Sequence, residues 1–279
     1  MIPKVIHYCW FGGNPLPDIA LKCINSWKEF FPDYEIKEWN ESNFDLNCCD
    51  YVKEAYEAKK WAFVSDYARF WVLYNYGGLY FDTDVEVIKD MSDIIAKGPF
   101  MGCETSDKSG SSLNIVVNPG LGLGVIPGLS IYKEILENYN ISHFLNQDGS
   151  YNYMTVVDRT TNILKKYDFK EIDEIQMIAN VYIYPKDYFC PMDYLTGKLN
   201  VTQNSRSIHW YDASWLDDRM KKRRRKVESI RNYIHGTPGI ILSKAYMSCS
   251  YYWEWVSTGD FKTIKAKISN RFQRNKKNL

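Results

Sequence analysis

The chain has 279 residues and a net charge of only +1, and 45% of its residues are hydrophobic. This length allows one large domain, or one domain with a substantial extension, and the apolar fraction is sufficient for a folded core. No stretch approaches the roughly 18 apolar residues of a membrane-spanning helix. The 7 cysteines include no C-x-x-C spacing, which argues against a disulfide framework and predicts reduced thiols in a cytosolic protein. The N-terminus has no charged region followed by a long apolar run, so we predict no signal peptide.

The first third of the chain alternates between strand and helix patterns. The predicted elements are a strand at Val5–Phe11, a helix at Asp18–Phe30, a strand at Tyr34–Trp39, a helix at Tyr51–Tyr76 with a break near Lys59, a strand at Leu79–Phe81 and an extended segment at Val85–Ile88. This alternation predicts an α/β domain with a largely parallel sheet. Such sheets bind ligands at the carboxyl ends of their strands. Gly12-Gly13 and Asp82-Thr83-Asp84 both follow predicted strand ends, so we expect them at one edge of the sheet.

The rest of the chain is less regular and becomes strongly basic. The predicted elements are a polar loop at Glu104–Ser112, helices at Leu129–Tyr139 and Thr155–Tyr167, short strands at Ile183–Pro185 and Ser207–Trp210, and a basic helix at Asp217–Tyr233. From Trp215 to Leu279 there are 16 Lys and Arg against 5 Asp and Glu, a net charge of +11, which leaves −10 for the preceding residues. We therefore predict a catalytic domain at 1–215 and a basic helical extension at 216–279.

The most informative motif is the run from Gly77 to Asp84, GGLYFDTD. In a strand, side chains two residues apart point to the same side, so Asp82 and Asp84 are expected to face one ligand together. Paired carboxylates suit a hard divalent cation. Asp-x-Asp is also common in solvated turns, but here it directly follows a buried strand, where unpaired carboxylates are costly. The context favours metal ligation.

Two further sites carry candidate side chains. Asp66 and Arg69 lie three residues apart on one face of an otherwise apolar, aromatic helix. A simple surface ion pair is the alternative, but a buried helix favours a specific polar role. His209 lies at a late strand end, where it is either a third ligand for a divalent metal or a core histidine; its residue type alone leaves both open.

Four segments resemble bacterial glycosyltransferases with a sugar-binding Asp-x-Asp region, which are relatives of the yeast mannosyltransferases in glycosyltransferase family 32. These segments are Ile2–Gly13, Ala62–Arg69, Gly77–Asp84 and Ile208–Trp215. More distantly, the same elements resemble the glucosylating domain of large clostridial toxins. The resemblance implies a GT-A fold, with a single Rossmann-like domain, a nucleotide-sugar donor, Mn²⁺ or Mg²⁺ as cofactor, and retention of anomeric configuration.

The resemblance also implies roles for individual residues. Trp10 would stack on the nucleobase, Tyr80 would lie along the nucleotide, and Asp66 and Arg69 would hold the donor sugar and its phosphates. Asp82 would contact the ribose and metal-bound water. Asp84 would ligate the metal. In the last segment the resemblance places a further metal or diphosphate contact, for which the candidates are His209, Asp212, Ser214 and Trp215. The stretch from Asn118 to Gly124 departs from the expected pattern, which leaves the acceptor side undefined.

The function expected from these observations is transfer of a hexose from a UDP-sugar to a saccharide acceptor, including a lipid-linked one, in bacterial surface polysaccharide synthesis. A metal-dependent phosphoesterase, a toxin-like effector that modifies a protein, and a sugar-binding protein with a decayed site are the alternatives. The basic C-terminal residues favour peripheral contact with an anionic membrane surface on its cytoplasmic side. The acidic catalytic part argues against nucleic acid as a partner.

Overall fold

A computed structural model of the chain describes residues 1–106, 114–193, 197–212, 218–234, 236–257 and 259. The chain divides into two compact units. The first comprises Met1–Asp193 and Lys198–Trp215, and the second comprises Tyr194–Gly197 and Leu216–Leu279. None of the helices in these described ranges has the length and apolar character needed to cross a bilayer.

The first unit contains strands and helices in alternation. Its strands are β1 (Val5–Cys9), β2 (Glu35–Trp39), β3 (Gly78–Tyr80), β4 (Val85–Val87), β5 (Phe100–Ser106), β6 (Asn114–Val125), β7 (Gln176–Ile178), β8 (Val181–Tyr184) and β9 (Ser207–His209). Its helices are α1 (Asp18–Phe30), α2 (Asp50–Glu57), α3 (Trp61–Tyr76), α4 (Ser92–Lys97), α5 (Ser130–Asn140), α6 (Val156–Lys165) and α7 (Lys186–Phe189). The predicted α/β class is confirmed.

Among the described residues, seven strands form one sheet in the order β2-β1-β3-β6-β5-β8-β7, and β4 pairs with β9 in a second, two-stranded sheet. The pairs β1–β2, β1–β3 and β5–β8 are parallel, whereas β3–β6, β5–β6 and β7–β8 are antiparallel. The sheet is therefore mixed, and the prediction of a largely parallel sheet is wrong beyond β3. The reason is β6, which enters between β3 and β5 and runs antiparallel to both.

Two apolar clusters cover the two faces of the main sheet. One contains buried residues of α2, α3, α5 and α6 against the sheet, and the other contains α1, α7 and the residues of β4. Strand side chains alternate between these clusters, as Leu79 and Phe81 join one and Tyr80 joins the other. The core is therefore a sheet between two layers, which leaves only its strand ends open to ligands.

Strand β6 was not predicted, because its second half reads as a glycine-rich loop. Its glycines instead make room for bulky neighbours: a Cβ at Gly122 would lie 2.9 Å from the ring of Phe81, and one at Gly124 would lie 2.1 Å from Phe100. The predicted polar loop at Glu104–Ser112 is wrong for Glu104 to Ser106, which end β5 and pair with β6. The remaining residues of that loop lie outside the described ranges.

A buried histidine fixes the junction between α3 and β3. The Nε2 atom of His7 lies 3.0 Å from the carbonyl oxygen of Gly77, and Trp39 Nε1 donates to His7 Nδ1 at 3.0 Å. Gly77 adopts φ +66°, which a residue with a Cβ rarely adopts, and ends α3. Burial lowers the pKa of His7 to about 4, so the ring is neutral and Nε2 carries the donated proton.

The second unit is a pair of helices, α8 (Asp218–Tyr233) and α9 (Thr237–Ser257). Arg223 pairs with Glu254 and lies over the ring of Tyr251, 4.4 Å from its centroid. Arg231 donates from Nε to the hydroxyl of Ser243 at 2.8 Å. The predicted basic helix is confirmed for the described residues of α8, whereas α9 was not predicted.

Candidate active site

The two carboxylates of the Asp-x-Asp motif lie in a turn rather than on a strand. Strand β3 ends at Tyr80, and the backbone N–H of Val85 donates to the carbonyl of Asp82 at 3.0 Å, which closes the turn. The N–H of Asp82 donates to the carbonyl of Gly120 at 3.1 Å. The prediction that strand alternation aligns the pair is wrong. The turn, anchored to β6, brings the two carboxylates together instead.

The pairing of β4 with β9 brings a late segment of the chain to this turn. Val85 is in register with His209, and the N–H of Trp210 donates to the carbonyl of Asp84 at 2.9 Å. His209 Nε2 lies 3.2 Å from Asp84 Oδ1, and the N–H of Asp212 donates to Asp84 Oδ2 at 2.9 Å. The side chain of Asp84 is thus held from both oxygens by residues 209–212.

Asp82, Asp84 and His209 each offer one ligand atom, and these atoms lie within 4.8 Å of one another. Two carboxylate oxygens and an imidazole nitrogen are groups that bind divalent metal ions. The buried Nδ1 of His209 has no hydrogen-bond partner within the described ranges. Burial acts to raise the pKa of Asp84, but His209 and the N–H of Asp212 hold it below its ordinary value. The residues therefore fit a divalent cation, and Asp84 is ionised and ready to ligate one.

A single guanidinium connects this cluster to α3. Arg69 Nη2 donates to Asp66 Oδ1 at 2.7 Å, and Arg69 Nη1 lies 3.2 and 3.3 Å from the two oxygens of Asp82. The carbonyl of Ser65 accepts from Arg69 Nε at 3.2 Å. Arg69 is 3% exposed and Asp66 9%, so the pair is not a solvated surface contact, and the prediction of a buried polar pair is confirmed.

Tyr80 is placed beneath these groups. Its hydroxyl donates to Asp82 Oδ1 at 3.0 Å, and the guanidinium of Arg69 lies over its ring at 5.0 Å. Burial raises the pKa of Asp66 to about 6, against the opposing effect of Arg69. Burial also raises the pKa of Tyr80, again against the opposing effect of Arg69, and keeps its hydroxyl protonated. The Asp82 carboxylate is therefore oriented from two sides by groups that remain charged or protonated near neutral pH.

Trp10 lies beyond the end of β1, at the same sheet edge, because β1 and β3 are parallel neighbours. Its N–H donates to the carbonyl of Trp39 at 2.9 Å, and its Nε1 donates to the carbonyl of Asn14 at 2.6 Å. The side chain is half-buried. In the following loop, a Cβ at Gly12 would lie 2.5 Å from the indole of Trp61, so these two residues are in direct contact.

Three polar residues near the cluster were missed from the sequence. Asn118 Nδ2 donates to Glu104 Oε2 at 2.8 Å, and the hydroxyl of Tyr211 donates to the same oxygen at 2.9 Å. Glu104 was placed in a loop and Asn118 in an irregular stretch, because isolated polar residues have no periodic signal. Of the other sequence candidates, the backbone of Asp212 contacts Asp84, whereas Ser214 and Trp215 lie outside the described residues.

Comparisons with known proteins agree with this geometry. Residues 17–101 match the sequence model of a family described as the glycosyltransferase sugar-binding region containing a DXD motif. The matched range includes Asp66, Arg69, Asp82 and Asp84. His209 and the segment around it lie beyond the match.

Relatives and solved structures extend the comparison. The chain is similar to inositol phosphoceramide mannosyltransferase 1 of Schizosaccharomyces pombe, with 29% identity over 36% of this chain and 33% of the yeast protein. It is also similar to an uncharacterized glycosyltransferase of Acanthamoeba polyphaga mimivirus, with 26% identity over 68% of this chain and 78% of that protein. A crystal structure of a glycosyltransferase involved in glycosylation of the major capsid of PBCV-1 aligns with a TM-score of 0.43 and 14% identity, over 81% of this chain and 100% of that chain.

The chain therefore matches one third of the length of the yeast relative and about three quarters of the viral one. The comparisons bear on the enzyme class and on the sugar-binding region, which contains the paired carboxylates and the buried Asp66–Arg69 pair. The match of residues 17–101 to a glycosyltransferase sugar-binding region agrees with the enzyme class predicted from the sequence.

Proposed function

We propose that the first unit is a GT-A glycosyltransferase that moves a hexose from a UDP-sugar to a saccharide acceptor, with retention of anomeric configuration. The observation that carries this proposal is that one residue, Asp82, is shared by two clusters of polar side chains. Asp82 belongs both to the ligand set with Asp84 and His209 and to the ion-pair network with Arg69. A site for a cation and a buried guanidinium side by side suits a substrate with a diphosphate.

Different residues of the chain would bind the cation and stabilise the charge on this substrate. Breaking the anomeric bond leaves a second negative charge on the diphosphate, and a bound Mn²⁺ or Mg²⁺ would supply Lewis-acid stabilisation of that charge. Asp82, Asp84 and His209 would hold the cation, while Arg69 supplies a fixed positive charge that does not have to reorganise. Asp66 orients Arg69 and faces the donor sugar. No protein nucleophile is assigned, which is compatible with assistance by the departing phosphate.

The finer assignments follow from the resemblance to glycosyltransferase family 32 and its bacterial members. Trp10 would stack on the uracil, and Ser214 and Trp215 would contact the diphosphate. Bacterial surface polysaccharide synthesis, with a saccharide acceptor that includes lipid-linked forms, is the proposed setting. The half-buried indole of Trp10 at the carboxyl end of β1 supports a stacking role, because one part of the ring stays accessible.

A donor screen tests the reaction directly. Nucleotide release is measured with UDP- and GDP-sugars, with and without Mn²⁺, for the wild-type protein and for Asp84→Asn. We expect release from a UDP-hexose that requires the metal and is lost in the variant. Thermal shift with UDP and Mn²⁺ together should exceed the sum of the separate shifts. Hydrolysis of simple phosphate esters without sugar transfer would instead indicate a phosphoesterase, for which the described residues offer only one three-ligand group.

We further propose that residues 216–279 attach the enzyme to the cytoplasmic face of an anionic membrane. On α8, exposed basic side chains include Lys222, Arg225 and Lys226. On α9, Ile241, Leu242, Trp253 and Val256 are exposed, with Ile241 at 64% and Trp253 at 75%. Basic charge with exposed aromatic and aliphatic groups suits an interfacial helix. The predicted contribution of Lys262 to Lys277 lies outside the described residues.

Co-sedimentation of the full chain with vesicles tests this attachment. We expect binding to phosphatidylglycerol vesicles at low salt and little binding to phosphatidylcholine. The double variant Ile241→Ser with Trp253→Ser should bind less. Leu21→Ser, which removes an exposed apolar residue of the first unit, is the matched control. Equal binding to both lipids, or equal binding of all variants, would refute the attachment and leave the glycosyltransferase proposal untouched.

A further inference from the structure

One carboxylate oxygen outside the ligand set is hydrogen-bonded from two directions. Glu104, on β5, accepts at Oε2 from Asn118 Nδ2 at 2.8 Å and from the hydroxyl of Tyr211 at 2.9 Å. Asn118 lies on β6, and Tyr211 follows β9. Glu104 therefore joins the main sheet to the segment that follows the small sheet.

The first hydrogen-bonded arm leads from Glu104 to Asp82. Asn118, which donates to Glu104, accepts through Oδ1 from the N–H of Gly120 at 2.7 Å. The carbonyl of Gly120 accepts from the N–H of Asp82 at 3.1 Å. Asn118 is only 7% exposed, so its two hydrogen bonds are shielded from competing water. This arm fixes the backbone position of the turn that carries the first carboxylate.

The second arm leads from Glu104 to Asp84 and His209. The ring of Tyr211 lies against the imidazole of His209, with ring centroids 4.1 Å apart. The next residue along the chain, Asp212, donates its N–H to Asp84 Oδ2. Tyr211 is also held by Cys190, whose Sγ lies 2.8 Å from the hydroxyl. The position of Tyr211 thus determines where both of these ligand groups lie.

Tyr211 adopts a backbone conformation that has to be maintained by its contacts. Its φ is +51°, in the left-handed region, which is unfavourable for a residue with a bulky side chain. Such conformations persist where the surroundings over-determine them, and they concentrate at functional sites. The hydroxyl of Tyr211 is anchored to Glu104 and Cys190, and these contacts help to hold the side chain in this position.

We propose that Glu104 is a positioning residue for the metal site, which acts through Tyr211 on His209 and Asp84 and through Asn118 on Asp82. This inference rests on the proposed function, because it assumes that these three residues hold a divalent cation. Glu104 does not itself belong to the ligand group found among the described residues. Its role is to set the spacing of the ligand atoms before the cation binds.

Metal affinity tests this role without reference to turnover. Free Mn²⁺ is measured by electron paramagnetic resonance in the presence of UDP, for wild-type protein, Glu104→Ala and Tyr211→Phe. Loss of a residue that orients ligands typically weakens metal binding about 10- to 100-fold, and we expect each variant to fall in that range. The effects of the two substitutions should be less than additive in the double variant, because both remove the hydrogen bond between Glu104 and Tyr211.

Conservative and control variants separate positioning from charge and from folding. Glu104→Gln retains a carbonyl oxygen that can accept from both Asn118 and Tyr211, so it should bind Mn²⁺ nearly as well as the wild type. Glu134→Ala removes another glutamate that accepts from a tyrosine hydroxyl, that of Tyr167, and should have no effect. Hydrogen exchange of residues 207–212 in metal-free protein should be faster in Glu104→Ala than in the wild type.

The outcomes distinguish this inference from the proposed function. If the wild type binds no Mn²⁺, the metal site is refuted and the inference with it. If the wild type binds Mn²⁺ and folded Glu104→Ala and Tyr211→Phe bind it equally well, positioning through these hydrogen bonds is refuted and the proposed function stands. Weak binding by Glu104→Gln with wild-type binding by Tyr211→Phe would also overturn it, because the charge of Glu104 would then be what matters.

Discussion

Gly120 lies directly against the carboxylate of Asp82. A Cβ at this position would be 2.1 Å from Asp82 Oδ2 and 3.1 Å from Asn118 Oδ1. The glycine also accepts the N–H of Asp82 and donates its own N–H to Asn118. Strand β6, which contains the stretch from Asn118 to Gly124 that departs from the expected pattern, thus borders the candidate metal site. Any side chain at residue 120 would compete with the carboxylate for the same space.

The variant Gly120→Ala should therefore lose Mn²⁺ affinity and turnover while remaining folded. The methyl group displaces the end of a side chain rather than a packed ring, so the fold has a low-cost way to adjust. Gly124→Ala on the same strand is the contrasting variant, because its Cβ would lie 2.1 Å from the ring of Phe100. Overpacking of that kind costs about 1–3 kcal/mol of stability. Mn²⁺ titration and urea unfolding of both variants measure the two effects, and a Gly120→Ala protein with unchanged metal affinity would contradict this packing.

Asp84→Asn should lower turnover on the order of 100-fold or more, since Lewis-acid stabilisation by a metal is worth several kcal/mol. The amide keeps the shape of the side chain and one acceptor for the N–H of Asp212, so the fold should persist. Burial acts to lower the pKa of His209, but Asp84 raises it above its ordinary value. The variant lacks this carboxylate, so turnover of the wild type and the variant is best compared near pH 8, where the histidine of the variant is neutral. Near wild-type turnover at limiting Mn²⁺ would show that Asp84 is not a ligand.

Trp10→Ala should raise the KM for the donor more than it lowers kcat. Stacking on a base holds the ground state and the transition state alike, and its loss costs on the order of 1–3 kcal/mol. Steady-state kinetics with varied UDP-sugar provide the measurement, with Trp253→Ala in the second unit as the control. An unchanged affinity for UDP would assign the indole of Trp10 to packing and to its hydrogen bond with Asn14 alone.

His7 should make the protein less stable in mild acid. Its folded-state pKa is lowered to about 4, mainly by burial, whereas the unfolded chain binds a proton below about pH 6.5. The unfolded state therefore binds more protons between these values, and the stability present above pH 6.5 is lost as the pH falls towards 4. The loss amounts to about 3 kcal/mol at most.

Urea unfolding between pH 4.5 and 7.5 measures this loss in the wild type and in His7→Gln, which keeps a donor for the carbonyl of Gly77. We expect the difference in stability between the two proteins to shrink as the pH falls. His143→Gln is the contrasting variant, because the hydrogen bond to Glu54 raises the pKa of this exposed histidine. Its stabilising contribution is lost as the pH rises, so the difference between wild type and His143→Gln should change with pH in the opposite sense. A constant difference between wild type and His7→Gln across this range would mean that His7 is not held neutral.

Strong local patterns made the N-terminal part of the fold predictable. The helix Asp18–Phe30 has the predicted bounds, and the predicted strand at Tyr34–Trp39 corresponds to Glu35–Trp39. The apolar context of the helix also predicted that Asp66 and Arg69 form a buried polar pair, and the structure confirms the burial and the pairing. In these segments the apolar spacing and the flanking Gly and Pro residues agree with the tertiary structure, so the local sequence is sufficient to predict the elements.

The parts that were missed depend on contacts between distant residues. In β6, Gly120, Gly122 and Gly124 signal a loop locally, yet each is required because a side chain from a neighbouring segment, that of Asp82, Phe81 or Phe100, occupies the space of its Cβ. Glu104 and Asn118 carry no spacing signal, and their place in the site follows only from hydrogen bonds across the sheet. The turn at Asp82 was read as a strand because two-residue spacing does not distinguish the two.

The pairing of β4 with β9 determines the stage of folding at which the candidate metal site can form. Asp84 meets its imidazole partner only when His209, from a much later part of the chain, pairs with the strand that follows the turn. A nascent chain that has emerged as far as β6 already has both carboxylates but lacks the nitrogen ligand and the N–H of Asp212. The group of Asp82, Asp84 and His209 is therefore complete only after β9 has paired with β4, so assembly of this site marks the completion of the first unit.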